Sequence, residues 1–162
     1  MENENIKIKK KKKNRGITLA IAESLTGGLV SSAICGVPGA SEVLLEGVVS
    51  YTDESKITRL GVRRETLEIH TSVSSQTAAE MAEGVRKNLG ADIGISTTGV
   101  AGPGEADENG NPRGLVYVGL SSGNETSVSR HMFDGTRNAI REQAKDICVE
   151  RLYERLYEKE RK

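Results

Sequence analysis

Short apolar runs alternate with helix-patterned segments over the first hundred residues. Residues 17–23, 43–51 and 91–98 are β-branched and aliphatic runs of strand length, and each ends in polar or glycine residues. Residues 24–35 predict a helix after the first run, and Thr52 can cap a second helix after the next one. This order of strands and helices predicts a largely parallel sheet.

The second half of the chain combines the clearest helical periodicity with a hairpin pattern. Apolar residues recur at three- and four-residue spacing over 74–89, and again from about residue 135 to the end. Between these segments, residues 114–121 and 125–133 predict two strands joined by a tight turn. We therefore expect an α/β fold with a mixed, mostly parallel sheet and helices on both faces.

Charge divides the chain into a tail and one domain. Lys and Arg total 23, equal to Asp and Glu, but lysines crowd the N-terminus. We expect 1–15 to be a disordered, solvated tail and 16–162 to form a single domain. The balanced charge and the scarcity of aromatic residues, 3% of the chain, argue against nucleic acid as a partner.

Cysteine usage and hydropathy bear on the compartment. Cys35 and Cys148 lie far apart without metal-ligand spacing, which predicts free, buried thiols in a reducing environment. No apolar stretch approaches the roughly 20 residues that a membrane-spanning helix needs. We expect a cytoplasmic protein without a membrane segment.

Three predicted strand ends carry polar or glycine-rich segments, namely 23–28, 50–56 and 96–104. In open α/β sheets the carboxyl ends of the strands form the ligand crevice, so these segments are expected to converge. Ser24 lies where the first strand turns into a helix, and backbone N–H groups at such a junction suit anions and developing oxyanions.

Ser24 is a candidate nucleophile, although the common serine hydrolase patterns do not surround it. The flanking residues do not form Gly-x-Ser-x-Gly, and the two histidines, His70 in a polar linker and His131 in a predicted strand, are poor candidates for a base. The proton of Ser24 must then pass to Lys56 or Tyr51, and a lysine in this role needs a lowered pKa.

Each candidate also has a purely structural interpretation. Ser24 could cap a helix, and Lys56 could be an exposed lysine on a helical surface. Arg137 and Arg141, at the start of the last predicted helix, could hold a phosphate or carboxylate or simply be solvated. The residues alone leave these alternatives open.

Familiar cofactor motifs are missing from the glycine loop and the acidic segment after it. The loop 99–104 matches neither the phosphate loop with Lys-Ser or Lys-Thr nor Gly-x-Gly-x-x-Gly. The segment 107–118 begins like a calcium loop, but Pro112 occupies the position that requires glycine. We expect no metal site and no cofactor.

Taken together, the motifs resemble those of the CinA C-terminal domain family, the nicotinamide-nucleotide amidohydrolases. The resemblance extends from about Ile17 to about Leu156. The segments that carry it are 22–28, 47–51 with Lys56, 61–62, 73–74, 96–104, 114–116 and 135–137.

This resemblance implies a three-layer α/β/α sandwich that deamidates nicotinamide mononucleotide to nicotinate mononucleotide and ammonia, a step of pyridine nucleotide recycling. Carried over by motif position, Ser24 would be the nucleophile, and Tyr51 and Lys56 would activate it. The implied substrate-binding residues are Glu23, Thr26, Gly27, Gly28, Thr98, Gly99, Ala101, Gly102 and Arg137.

The alternative is a non-catalytic module that binds a pyridine nucleotide or a partner protein. Such a module would have no need for a nucleophile and a base together, so the intact set of Ser24, Tyr51 and Lys56 favours the enzyme. The long amphipathic C-terminal helix also favours a homo-oligomer.

Overall fold

The computed structural model describes residues 16–157, so the predicted tail 1–15 and residues 158–162 lie outside the described part. The strands are β1 Leu19–Glu23, β2 Leu44–Val49, β3 Ile93–Gly99, β4 Leu115–Ser122 and β5 Glu125–Met132. The α-helices are α1 Leu29–Cys35, α2 Asp53–Leu60, α3 Arg64–His70, α4 Ser75–Leu89 and α5 Arg137–Tyr157. Within 16–157, no helix is both long and apolar enough to cross a membrane.

The five strands form one mixed sheet in the order β2-β1-β3-β4-β5. β1 pairs in parallel with both β2 and β3, whereas β3–β4 and β4–β5 are antiparallel pairs. Four of the five strands therefore run in the same direction, and only β4 opposes them. The prediction of a mixed, mostly parallel sheet is confirmed, and β1, β2 and β3 end at the same edge.

Helices cover both faces of the sheet, as predicted. On one face, α1 and α5 pack against aliphatic residues of the sheet, including Leu19, Ile21 and Ile95. On the other face, α2, α3 and α4 cover Ala20 and Ala22. The alternation along β1 places its larger side chains under α1 and α5, and its small ones under the second helical layer. This is a three-layer α/β/α sandwich.

Small residues let α4 lie close to the sheet. A Cβ atom on Gly94 would lie 2.1 Å from the carbonyl oxygen of Ala82, and one on Gly119 would lie 2.4 Å from that of Ala78. The Ser96 hydroxyl donates to the same Ala78 oxygen at 2.6 Å. β3 is central in the sheet and closely covered by α4, and this contact fixes the strand that leads into the glycine loop.

Three local predictions are wrong. The first helix begins at Leu29 rather than near Ser24, because the intervening residues form a turn. His70 ends α3 instead of lying in a linker, since the polar segment around it is helical. Cys35 is exposed at the end of α1, whereas Cys148 is buried as expected.

Candidate active site

A cavity of about 390 Å³ opens at the shared carboxyl edge of the parallel strands. The segments after β1, β2 and β3 all contribute to its wall, together with the loop before β4 and the first residue of α5. Its lining residues are Ser24, Leu25, Tyr51, Lys56, Ser72, Val73, Gly99, Val100, Ala101, Gly102, Pro103, Ala106, Asp107, Glu108, Asn109 and Arg137. The three strand ends therefore converge on one cavity, as predicted.

Ser24 and Lys56 meet inside this cavity. The Nζ atom of Lys56 lies 3.2 Å from the Oγ atom of Ser24. The same nitrogen donates to the backbone carbonyl oxygens of Ser50 at 3.0 Å and Tyr51 at 3.1 Å. A neutral amine carries two hydrogens and one lone pair, so donation to both carbonyls leaves the lone pair for the hydroxyl hydrogen of Ser24.

The sequence places Lys56 there through the start of α2. The Thr52 hydroxyl accepts the Ser55 backbone N–H at 3.1 Å and so caps the helix as predicted. Lys56 then falls on the face of α2 that packs on the sheet, and it is only 1% exposed. The interpretation of Lys56 as a surface lysine is therefore wrong.

Burial alters the acidity of this lysine. Loss of hydration disfavours the ammonium form and lowers the pKa of Lys56 from 10.5 to about 8, while the charge of the nearby Asp53 carboxylate opposes the shift. At pH 7 roughly a tenth of the molecules then carry the neutral amine, far more than for an exposed lysine. Lys56 can thus accept a proton near neutral pH.

A tight turn carries Ser24. The Gly27 N–H donates to the Ser24 carbonyl at 3.1 Å, which closes a four-residue turn. The N–H of Ser24 itself donates to the carbonyl oxygen of Thr97 on β3 at 3.1 Å. Within the described part of the chain, the N–H groups of Leu25 and Thr26 donate to no protein acceptor. Two backbone donors are therefore unused immediately after the candidate nucleophile.

The Glu23 carboxylate holds the far side of the turn. It accepts the backbone N–H groups of Gly28, Val30 and Ser31 and the hydroxyl of Ser31, at 2.7 to 3.1 Å. Glu23 is fully buried, so it closes the start of α1 from within. The start of α1, expected to face a ligand, is instead occupied by this side chain.

Two threonines brace the turn from β3. The hydroxyls of Thr26 and Thr97 lie 2.7 Å apart, and both are buried. The neighbouring Thr98 donates its hydroxyl at 2.6 Å to the backbone carbonyl of Ser72, which lines the cavity. Thr26 and Thr98 therefore shape the cavity from behind its wall.

Arg137 crosses the mouth of the cavity. Its guanidinium donates to the backbone carbonyl of Gly102 and, at 3.1 Å, to the hydroxyl of Tyr51. Tyr51 is 56% exposed, so its phenol faces the entrance while its backbone carbonyl holds Lys56. The side chain expected to help activate Ser24 thus contacts the arginine instead.

The predicted site residues divide into two groups. Ser24, Tyr51, Lys56, Gly99, Ala101, Gly102 and Arg137 line the cavity. The remaining five, Glu23, Thr26, Gly27, Gly28 and Thr98, lie outside its lining.

Sequence reasoning missed part of the cavity wall. Asp107 and Glu108 line it, although the acidic segment was considered only as a calcium loop. Asp107 is engaged in its own loop, where it accepts the N–H groups of Asn109 and Asn111. The signal that could have found this wall was its position directly after the glycine loop.

Neither histidine lines the cavity, in agreement with their exclusion as bases. Among residues 16–157, His, Cys, Asp and Glu side chains form no group of three that could ligate a metal ion. The candidate acid–base side chains that line the cavity are those of Lys56, Tyr51, Asp107 and Glu108.

Comparisons with known proteins agree on one family. A family model described as the CinA C-terminal domain matches residues 2–156. A competence-damage inducible protein of Clostridioides difficile strain 630 is 55% identical over 127 residues, which cover 78% of this chain and 30% of that protein. One from Clostridium botulinum strain Loch Maree is 51% identical over 129 residues. The chain thus spans about 30% of the length of the curated relatives it matches.

Solved structures are similar over nearly the whole chain. Competence damage-inducible protein A from Klebsiella pneumoniae superposes with a TM-score of 0.90 at 34% identity and covers 94% of each chain. A CinA superfamily protein from Escherichia coli gives 0.89 at 30% identity, over 93% of this chain and 87% of that one. The match therefore includes the sheet and both helical layers.

Proposed function

The chain belongs to the CinA C-terminal domain family, and from that premise we propose that it deamidates nicotinamide mononucleotide to nicotinate mononucleotide and ammonia. The observation that carries the proposal is the contact of 3.2 Å between Ser24 Oγ and Lys56 Nζ, inside a cavity. A buried lysine with a lowered pKa beside a serine hydroxyl is the arrangement that serine–lysine hydrolases require.

In the first half-reaction, the neutral amine of Lys56 takes the hydroxyl proton while Ser24 Oγ attacks the carboxamide carbon. The negative charge that develops on the carboxamide oxygen needs donors already in place, because the cavity cannot reorganise during the step. The unused N–H of Leu25, which lines the cavity directly after Ser24, is the nearest candidate in sequence.

Collapse of the tetrahedral intermediate breaks the C–N bond. The ammonium of Lys56 returns its proton to the departing nitrogen, which leaves as ammonia, and an acyl ester on Ser24 remains. A water molecule then attacks this ester with Lys56 again as base. The nicotinate carboxylate is released and the serine hydroxyl is restored, so one water is consumed for each ammonia produced.

The charges around the cavity suit a substrate with both signs. Nicotinamide mononucleotide combines a cationic pyridinium ring with an anionic phosphate. Arg137, at the mouth, currently donates only to neutral oxygens and would bind a phosphate more strongly. The carboxylates of Asp107 and Glu108 on the same wall favour a cation.

Ammonia release tests the proposal directly. Purified protein should release ammonia from nicotinamide mononucleotide, and Ser24→Ala should abolish turnover while calorimetry still detects substrate binding. Thr126→Ala is a suitable control, because it removes a hydroxyl on β5, far from the cavity. Full activity in the Ser24→Ala protein would exclude the serine mechanism.

The same experiment separates the enzyme from a binding module. A module that only senses the nucleotide would bind it with wild-type protein and Ser24→Ala protein alike, and neither would release ammonia. Labelling of Ser24 by a fluorophosphonate, which reports an activated serine without using the nucleotide, would distinguish an amidase with another substrate from such a module.

A further inference from the structure

We propose that Arg141 is a positioning residue that holds the turn after Ser24, so that the N–H of Leu25 stays turned toward the reacting carboxamide oxygen in the cavity. Arg141 lies on α5 and does not line the cavity. Its Nε donates to the backbone carbonyl of Leu25 at 2.9 Å, and its Nη2 donates to that of Thr26 at 3.2 Å. Of the two arginines at the start of α5, it is thus the one that grips the turn carrying Ser24.

Because a peptide group is rigid, a hydrogen bond that holds its carbonyl also fixes the direction of the N–H in the same plane. A peptide group is planar and trans, so its C=O and N–H point in opposite directions. The carbonyl of Ser24 accepts the Gly27 N–H, and the carbonyls of Leu25 and Thr26 are held by Arg141. Three successive peptide planes of the turn are therefore fixed. The first of them carries the N–H of Leu25, a residue that lines the cavity, and this N–H donates to no acceptor within the described residues.

The arginine is itself held in place. Its third donor, Nη1, binds the side-chain oxygen of Asn138 at 3.0 Å, one turn earlier on α5. A Cβ atom on Gly27 would lie 3.3 Å from Nη2, and Gly27 has a φ of +55°, so a side chain there would press against the guanidinium. Three donors in one plane, each with its own acceptor, give a fork that a lysine ammonium cannot reproduce.

This inference rests on the proposed hydrolysis, and the test uses two readouts that separate them. The variant Arg141→Lys keeps the charge and loses the fork. Arg151→Lys is the matched control, since Arg151 also reaches from α5 to a backbone carbonyl, that of Val118, but far from Ser24. For both variants we would measure kcat and KM for nicotinamide mononucleotide, the rate of Ser24 labelling by a fluorophosphonate, and the melting temperature.

We expect Arg141→Lys to lower kcat by on the order of 10 to 10², somewhat less than deletion of an oxyanion donor, with KM changed by no more than about threefold. Labelling of Ser24 should slow in parallel, because that reaction also develops negative charge on an oxygen. The pH midpoint of the rate should stay unchanged, since Lys56 is untouched. Asn138→Ala, a milder change at the fork, should lower kcat in the same direction by a smaller factor.

Two results would overturn the assignment. One is a kcat for Arg141→Lys within threefold of the Arg151→Lys value. The other is a loss of activity in Arg141→Lys that appears in KM, or that follows the melting temperature equally in both variants. If wild-type protein releases no ammonia but Arg141→Lys still slows labelling relative to Arg151→Lys, the proposed substrate fails and the positioning role stands.

Discussion

The end of β1 and the first turn of α2 each bury one charged side chain, Glu23 in β1 and Lys56 in α2. β1 and β2, the strand that leads into α2, are neighbouring parallel strands. Glu23 directly precedes a residue of the cavity lining, and Lys56 is itself part of that lining. Around Glu23, four donors meet two carboxylate oxygens, and every donor belongs to the start of α1. The carboxylate is fully occupied in holding the fold together.

Lys56 has a different balance of partners. Its nitrogen faces two backbone carbonyls and one hydroxyl, and no carboxylate accepts a hydrogen bond from it within the described residues. Burial without an ion pair is what lowers the pKa of this amine. The Glu23 carboxylate is saturated with hydrogen-bond donors and stabilises the start of α1, whereas the amine of Lys56 is left able to accept a proton near neutral pH.

Replacement of the lysine should produce the largest effect. Lys56→Met keeps the length of the side chain but removes the amine, so we expect a loss on the order of 10² to 10⁴ in kcat for ammonia release. Lys87→Met is the control, because that lysine is 65% exposed and pairs with Glu83 on the surface of α4. A loss of tenfold or less would mean that Lys56 only positions the turn.

Replacement of the carboxylate should mainly affect stability. In Glu23→Gln one carboxylate oxygen becomes an NH₂ group, which cannot accept the donors at the start of α1, so we expect a loss of about 2 to 4 kcal/mol in the free energy of unfolding, measured with urea. Glu46→Gln, at an exposed position on the edge strand β2, should change this free energy by less than about 0.5 kcal/mol. Equal losses in the two variants would contradict the role of Glu23.

The sequence predicted the secondary structure around Glu23 and Lys56 better than it predicted the contacts of these two side chains. The positions of the first strands along the chain and the cap at Thr52 followed from runs of β-branched residues and from turn chemistry, both of which are local signals. The start of α1 at Leu29 did not follow from such local signals. It depends on the Glu23 carboxylate, whose partners lie five to eight residues further along the chain. No periodicity tells which acidic side chain will fold back over a helix start.

The burial of Lys56 and the positions of Asp107 and Glu108 in the cavity wall could not be predicted either, and the reason is related. α2 is polar overall, and only the packing of its first turn against the sheet places Lys56 inside. Asp107 and Glu108 reach the cavity through a loop whose path depends on contacts with distant segments, such as the hydrogen bond from Asn111 to Thr71. Family motifs pointed to the candidate reacting residues, and tertiary contacts determine what surrounds them.

The smallest predicted effect tests why the pKa of Lys56 stops near 8. The rate should rise with pH through a midpoint of about 8, as the ammonium loses its proton. The Asp53 carboxylate favours the ammonium and so raises this pKa. In Asp53→Asn the opposing charge is gone, the pKa falls further, and the midpoint of kcat/KM against pH should move to lower pH.

Glu54→Gln is the matched control for this shift. Glu54 lies in the same first turn of α2, but its carboxylate pairs with Arg64 at 3.2 Å, so its removal should leave the midpoint in place. The shift in Asp53→Asn should be smaller than the effect of burial itself. Added salt should reduce the difference from wild type, because the Asp53 carboxylate is exposed to solvent. A midpoint that moves equally in both variants, or toward higher pH, would show that the helix terminus rather than the Asp53 charge sets the acidity of the base.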